Sequence, residues 1–161
     1  MDGAEGFDEF AATRWPGLVR AAWLLTADWQ RAEDVAQVAL TKAWRHWRRV
    51  CTADDPDRYV RRIVVNEFLR ARRRWREEAP LTGDGVVPSG DDGVAERDAL
   101  VRALRRLPPG QRLAVVLRHY LDLSEADAAA AMGCAEGTVK SQASRGLARL
   151  RDEYGVERTE A

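Results

Sequence analysis

Between Gly137 and Arg151 the chain carries Thr138, Lys140, Ser141, Gln142, Ser144, Arg145 and Arg149, and no acidic residue. What such groups do well is hydrogen-bond to anions and to base edges: Arg grips guanine with two parallel bonds, and Ser or Thr reaches either bases or phosphates. At about 100° per residue, Thr138, Ser141, Ser144, Arg145 and Ala148 fall on one helical face, with Lys140 and Arg149 on its flanks. Val139, Ala143, Gly146, Leu147 and Leu150 make the opposite, apolar stripe. The polar face is small, hydroxyl-rich and basic, which suits insertion into a DNA major groove.

The elements that would position this face are legible on either side of it. Leu123 to Arg151 reads as a helix-turn-helix. Ser124, with Asp127 three residues on, opens a helix through the alanines to Met132, and Gly133 stops it. The second helix begins near Ala135 or Glu136. An ordinary helical hairpin with a solvated polar face is the plainer alternative, and this stretch alone does not dispose of it.

The segment GCAEGTVKSQASRGLARLR resembles the promoter-reading segment of bacterial sigma factors of the extracytoplasmic-function group. By that resemblance the residues named above, Gln142 included, contact the minus-thirty-five element. Ala135 stands where the family favours a Ser cap, Ala128 where it favours Ile, and Gln142 where it favours Arg. LRRLPPGQRLAVVLRHYLDLSEADAA is similar to the helical pair that precedes this motif in the family and contacts the polymerase flap. Here Val101, Leu104 and Leu107 form an apolar stripe ending at Pro108-Pro109, where a new helix carries Leu113, Val116, Leu117 and Tyr120.

The 161 residues have zero net charge, unevenly spread. Arg58 to Arg76 holds eight Arg against one Glu, and Glu77 to Asp98 seven acids against one Arg. The first of these segments is a predicted helix over Tyr59 to Trp75, with Val60, Ile63, Val64, Phe68, Ala71 and Trp75 on one side. A cationic track beside pockets or stacking surfaces suits a single strand whose bases must be unstacked. RNA binding or simple solvation of the arginines is the alternative. DDPDRYVRRIVVNEFLRARRR is similar to the family's minus-ten segment. The resemblance implies that Asn66 and the loop Cys51 to Arg58 read bases, while Arg58, Arg61, Arg62, Arg70, Arg73 and Arg74 hold phosphates.

Nearer the start, Phe7, Ala11, Trp15, Leu18, Ala22 and Leu25 recur at helical spacing. Pro16 predicts a kink or a true start near it. After a break at Thr26-Ala27-Asp28, a helix is expected from Trp29 to Val50, capped by Asp28 and with its core stripe at Val35, Ala39, Trp44 and Trp47. AEDVAQVALTKAW, residues 32 to 44, looks like the family's helix that docks on the polymerase beta-prime coiled coil. Asp34 and Gln37 match its contact positions, and Val38 replaces the usual Glu. A solvated, dipole-favoured helix start is the other account of Glu33 and Asp34.

The expected architecture is all-α: two small helical domains, 7–76 and 94–154, joined by a flexible acidic linker, 77–93, the second containing the helix-turn-helix. The linker has Pro, Gly and acids without periodicity, a relaxed span of about 20 to 25 Å and an extended one of roughly 55 Å. Cys51, Cys134, His46 and His119 lack zinc-ligand spacing, and no phosphate loop or nucleophile–base pair stands out. No catalytic residue, metal or cofactor is therefore expected. No apolar run approaches a membrane span, and MDGAEGFDEF has neither a basic nor an apolar leader segment, so the expected location is cytoplasmic, at the nucleoid, without membrane insertion.

Four matched segments in order identify the chain as a member of the extracytoplasmic-function sigma factors, most like the actinobacterial sigma-E-type subgroup. The implied partners are core RNA polymerase, through its beta-prime coiled coil and beta flap, promoter DNA, and an anti-sigma factor. The alternatives are a helix-turn-helix regulator acting without polymerase and a protein-interaction adaptor with incidental basic residues.

Overall fold

In the computed structural model, residues 5–78 and 99–159 are described, and every regular element among them is a helix. The chain divides into two compact units, Met1–Pro88 and Ser89–Ala161.

The first unit is built on α1 (Phe7–Thr26), α2 (Trp29–Arg45), the short α3 (Trp47–Cys51) and α4 (Pro56–Glu78), with α1, α2 and α4 packed against one another. Helix α1 begins at Phe7 and runs through Pro16, so the alternative start near Pro16 does not hold. Proline there removes one hydrogen bond, to the carbonyl of Ala12, and both residues are exposed, so water can satisfy that carbonyl. From Leu18 onward the helix is buried on nearly every side, beyond a single stripe. Ala27, in the left-handed region at φ 56°, closes it, its N–H donating to the Trp23 carbonyl.

Asp28 caps α2 as expected, its Oδ1 accepting from the Arg31 N–H at 3.1 Å. The helix ends at Arg45 rather than at Val50, because His46, at φ −115° and ψ 27°, breaks it and α3 starts afresh. The core stripe is Ala32, Val35, Ala36, Ala39 and Ala43, then Trp47 and Val50 beyond the break. Trp44 is therefore not a core residue. One position past Ala43, it lies on the outer side of α2, 43% exposed, its ring 5.1 Å from that of Phe7. Trp47 is buried against Phe7 and Phe10 and donates its indole N–H to the Glu5 carbonyl. Helix α4 exceeds the expected span at both ends, and its Glu77 and Glu78 fall within the stretch assigned to the linker. The rest of that linker and the opening residues of the second module, Val94 to Asp98, lie outside the described residues.

The second unit comprises α5 (Ala99–Arg106), α6 (Pro109–Val115) continued by a π-helical turn (Val116–Tyr120), α7 (Glu125–Met132) and α8 (Glu136–Thr159). Leu104 and Leu107 are buried, and the side chain of Val101 lies outside the described ones. Pro109 takes the first helical position of α6. The π turn corrects one expectation about its stripe. By widening the helix it passes the inward position from Tyr120, which is 38% exposed, to Leu121, which is buried. Ser124 caps α7 through the Asp127 N–H at 3.0 Å, and Gly133, at φ 68°, ends it. Helix α8 packs on α5, α6 and α7. At Gly146 the approach to α6 is so close that a β-carbon would meet Val115 Cγ2 at 2.6 Å and the Gln111 carbonyl at 3.2 Å. Only glycine admits that contact.

Candidate nucleic-acid and polymerase interfaces

On α8, Val139, Ala143, Gly146 and Leu150 are buried, while Thr138, Lys140, Ser141, Ser144, Arg145, Ala148 and Arg149 are exposed. The amphipathic period thus delivers the predicted polar face to the outside of the unit. Among the described residues no ion pair engages Lys140, Arg145 or Arg149, and their charge is left for an external anion. Gln142 stands apart: it is half-buried, its amide next to Gly110 at the start of α6. Ala135 opens α8 with backbone alone, its carbonyl accepting from the N–H groups of Thr138 and Val139.

In the first unit the exposed side of α2 carries Asp34, Gln37 and Val38, with Thr41 one turn further donating to the Gln37 carbonyl. Val38 is 43% exposed, an apolar spot among polar ones. The first turn of α2 contains no acid, since Asp28 already serves its amino terminus from outside. Glu33 and Asp34 therefore sit past the turn where dipole stabilisation is concentrated, which weakens the account of them as a helix-start device.

The cationic helix α4 borders a cavity of about 520 Å³. Arg62, Asn66 and Arg70, spaced by four, line it from α4 together with Tyr59 and Ile63, and Lys42, Arg45 and His46 line it from the α2 side. Of the residues assigned from sequence to the minus-ten strand, the fold brings Arg62, Asn66 and Arg70 to this cavity. Arg73 and Arg74 are exposed further along the helix and Arg58 is exposed near its start. Arg61, half-buried, lies about 140° around the helix from Asn66 and points elsewhere.

Glu67 also lines the cavity but does not neutralise it. The carboxylate is largely buried and ion-paired with Lys42, with the Arg70 guanidinium 3.8 Å away. The single acid of the Arg-rich segment is thus spent on joining α2 to α4, and the outer rim stays positive. Lys42, Arg45 and His46 were not identified from sequence, because their place beside Asn66 depends on how two helices pack, whereas Tyr59, two turns before Asn66 on the same helix, was within reach of the helical period. A cleft of this volume rimmed by cations can hold an unstacked nucleotide and its phosphates. Among the described residues no group of His, Cys, Asp and Glu is arranged to hold a metal, and Cys51 and Cys134 are free thiols.

Residues 13–77 match the family described as Sigma-70 region 2, and residues 97–150 match Sigma-70, region 4. The chain is 39% identical to the RNA polymerase sigma-E factor of Streptomyces coelicolor, over 91% of this chain and 85% of that one. It is 32% identical to the ECF RNA polymerase sigma factor SigL of Mycobacterium tuberculosis, over 94% and 90%. Among solved structures it is similar to the sigma factor RpoE of Bartonella quintana, determined in complex with the anti-sigma factor NepR. The TM-score is 0.66 at 29% identity, covering 93% of this chain and 97% of that one.

Proposed function

This chain belongs to the sigma-70 family, as an RNA polymerase sigma factor of the extracytoplasmic-function group, and from that premise we propose which of its surfaces performs each task. As a sigma factor it binds core RNA polymerase and promoter DNA and directs transcription initiation, so the operator-binding alternative is not favoured.

In our proposal the 7–76 module docks on the polymerase beta-prime coiled coil through Asp34, Gln37 and Val38. Its cleft takes an extruded minus-ten base against Asn66, with Arg62 and Arg70 on the flanking phosphates and Arg73 and Arg74 further along the strand. The exposed face of α8 enters the major groove of the minus-thirty-five element. There Ser141, Ser144 and Arg145 reach base edges, and Lys140 and Arg149 reach phosphates. Gln142 lies at the margin of this face beside α6, where it supports the helix more than it reads DNA. Segment 77–93 is the tether that lets two modules occupy separate elements, and α6 with its neighbours meets the beta flap. The protein contributes binding free energy to promoter opening and no bond chemistry, acting at the nucleoid. Regulation by an anti-sigma partner is part of the proposal, supported by the capture of RpoE with NepR.

The observation that carries this reading is the placement of Asn66 in a cation-rimmed cleft on the same helical unit whose α2 exposes Asp34, Gln37 and Val38. Docking and strand capture are thereby built on one rigid set of helices. Multi-round transcription on a library of genomic promoter fragments, with core polymerase alone and with the protein added, tests it. Protein-dependent start sites that weaken in Asn66→Ala and in Arg145→Ala, with polymerase affinity retained, are expected. Start sites indifferent to both substitutions would overturn the assignment of surfaces.

A further inference from the structure

The carboxylate of Glu67 has one oxygen that the tie between α2 and α4 does not use. The residue lies on the wall of the Asn66 cleft and is only 9% exposed. Both of its cations meet the same atom: Lys42 Nζ donates to Oε1, and Arg70 Nη1 lies 3.8 Å from Oε1. Among the described residues Oε2 has no hydrogen-bond or ion-pair partner. Nor is it sealed inside the protein, and the cleft is where it opens.

An ionised carboxylate is an acceptor at both oxygens. One that is nine-tenths buried with an oxygen unengaged gains from any donor that reaches it, because the hydrogen bonds lost on burial are replaced at Oε1 alone. Of the groups on a nucleotide, phosphate is repelled by this oxygen, and the base edge is the one that carries N–H donors. Cytosine N4 and adenine N6 are exocyclic amines at corresponding places on the base-pairing edge, where thymine O4 and guanine O6 put a carbonyl. A carbonyl set against Oε2 would place two acceptors together. A buried polar group left without its partner is what makes a site reject an analogue.

We propose that Glu67 is a specificity-determining residue of the cleft, its Oε2 accepting from the exocyclic amine of the extruded base and so admitting cytosine or adenine over thymine and guanine. The inference rests on the reading of the cleft as the minus-ten site. Asn66 binds whichever base enters, Arg62 and Arg70 hold the flanking phosphates, and Glu67 chooses among bases by the group at one position. Lys42 keeps Oε1 occupied, which fixes the carboxylate and leaves Oε2 as the reading atom.

The test uses the full chain assembled with core polymerase and fluorescent single strands that carry the minus-ten element and differ only at the extruded base. The bases compared are the natural ones, 2-pyrimidinone, which is cytosine without its amine, and purine, which is adenine without its amine. Wild type is expected to bind cytosine and adenine about 10-fold more tightly than the rest, the lower end for a hydrogen bond to a charged group. Glu67→Gln, whose amide donates to a carbonyl as well as accepting from an amine, should reduce that preference to less than about 3-fold. Asn66→Ala should weaken binding of all the strands together.

Equal binding of cytosine and 2-pyrimidinone by wild type, or an undiminished preference in Glu67→Gln, with Asn66→Ala still weakening every strand, would overturn the assignment and leave Glu67 as a tie between helices. Indifference of every strand to Asn66→Ala would instead remove the cleft reading on which it rests. Because the amine is deleted from the DNA, the wild-type comparison decides the matter even where Glu67→Gln disturbs the folding of the unit.

Discussion

In the first unit the side chain assigned to a DNA base, Asn66, lies in a cleft walled by two helices, whereas in the second Ser141, Ser144 and Arg145 stand on the open side of one helix. The units also differ in aromatic content. All six tryptophans, Trp15, Trp23, Trp29, Trp44, Trp47 and Trp75, belong to the first unit, and the second packs α8 on α6 and α7 through Ala128, Ala129, Ala143 and the bare backbone of Gly146. The cleft of the first unit opens beside the break at His46, where α2 ends and α4 lies alongside. In the second unit the close contact at Gly146 leaves Ser141, Ser144 and Arg145 on the exposed side of α8. A concave site suits one unstacked base, and a convex helix suits an intact groove.

Substitutions can break this contrast one side at a time, because tryptophan fluorescence reports on the first unit alone. The largest effect is expected at the tight helix contact. Gly146→Leu forces a side chain into Val115 and the Gln111 carbonyl and should cost about 3 kcal/mol, lowering the circular-dichroism transition of the second unit while the fluorescence transition stays in place. Lys42→Met addresses the other side. It leaves the buried Glu67 carboxylate with only the more distant Arg70, and a loss of about 1–3 kcal/mol should appear in the fluorescence transition alone. A shift of both transitions in either variant would mean that the units do not fold independently. The smallest effect sharpens the comparison: Ala135→Ser supplies the side-chain cap that α8 lacks and should stabilise the second unit by about 0.5–1 kcal/mol, with no change in fluorescence.

What the sequence made legible was what neighbours in the chain decide. Asp28 and Ser124 announced their helices because a cap acts within three residues, and Gly133 and Pro109 marked an end and a start for equally local reasons. The outward face of α8 followed from helical period alone. The break at His46 had no glycine or proline to announce it, so one long helix was expected and Trp44 was assigned to the core. The π turn after Val115 likewise leaves no pattern in the residues, and Tyr120 was misplaced by one position. A third of the lining of the Asn66 cleft was invisible because Lys42, Arg45 and His46 meet α4 only through tertiary packing.

The central claim is that cleft and helix face divide the promoter between them. The most direct measurement is the affinity of the polymerase-bound protein for two separate fragments, an upstream duplex with the minus-thirty-five element and a single strand with the minus-ten element. Arg145→Ala should weaken only the duplex and Asn66→Ala only the single strand, each by about 1–3 kcal/mol, or roughly 5- to 150-fold. Equal losses on both fragments from either substitution, or exchange of the two effects, would contradict the account.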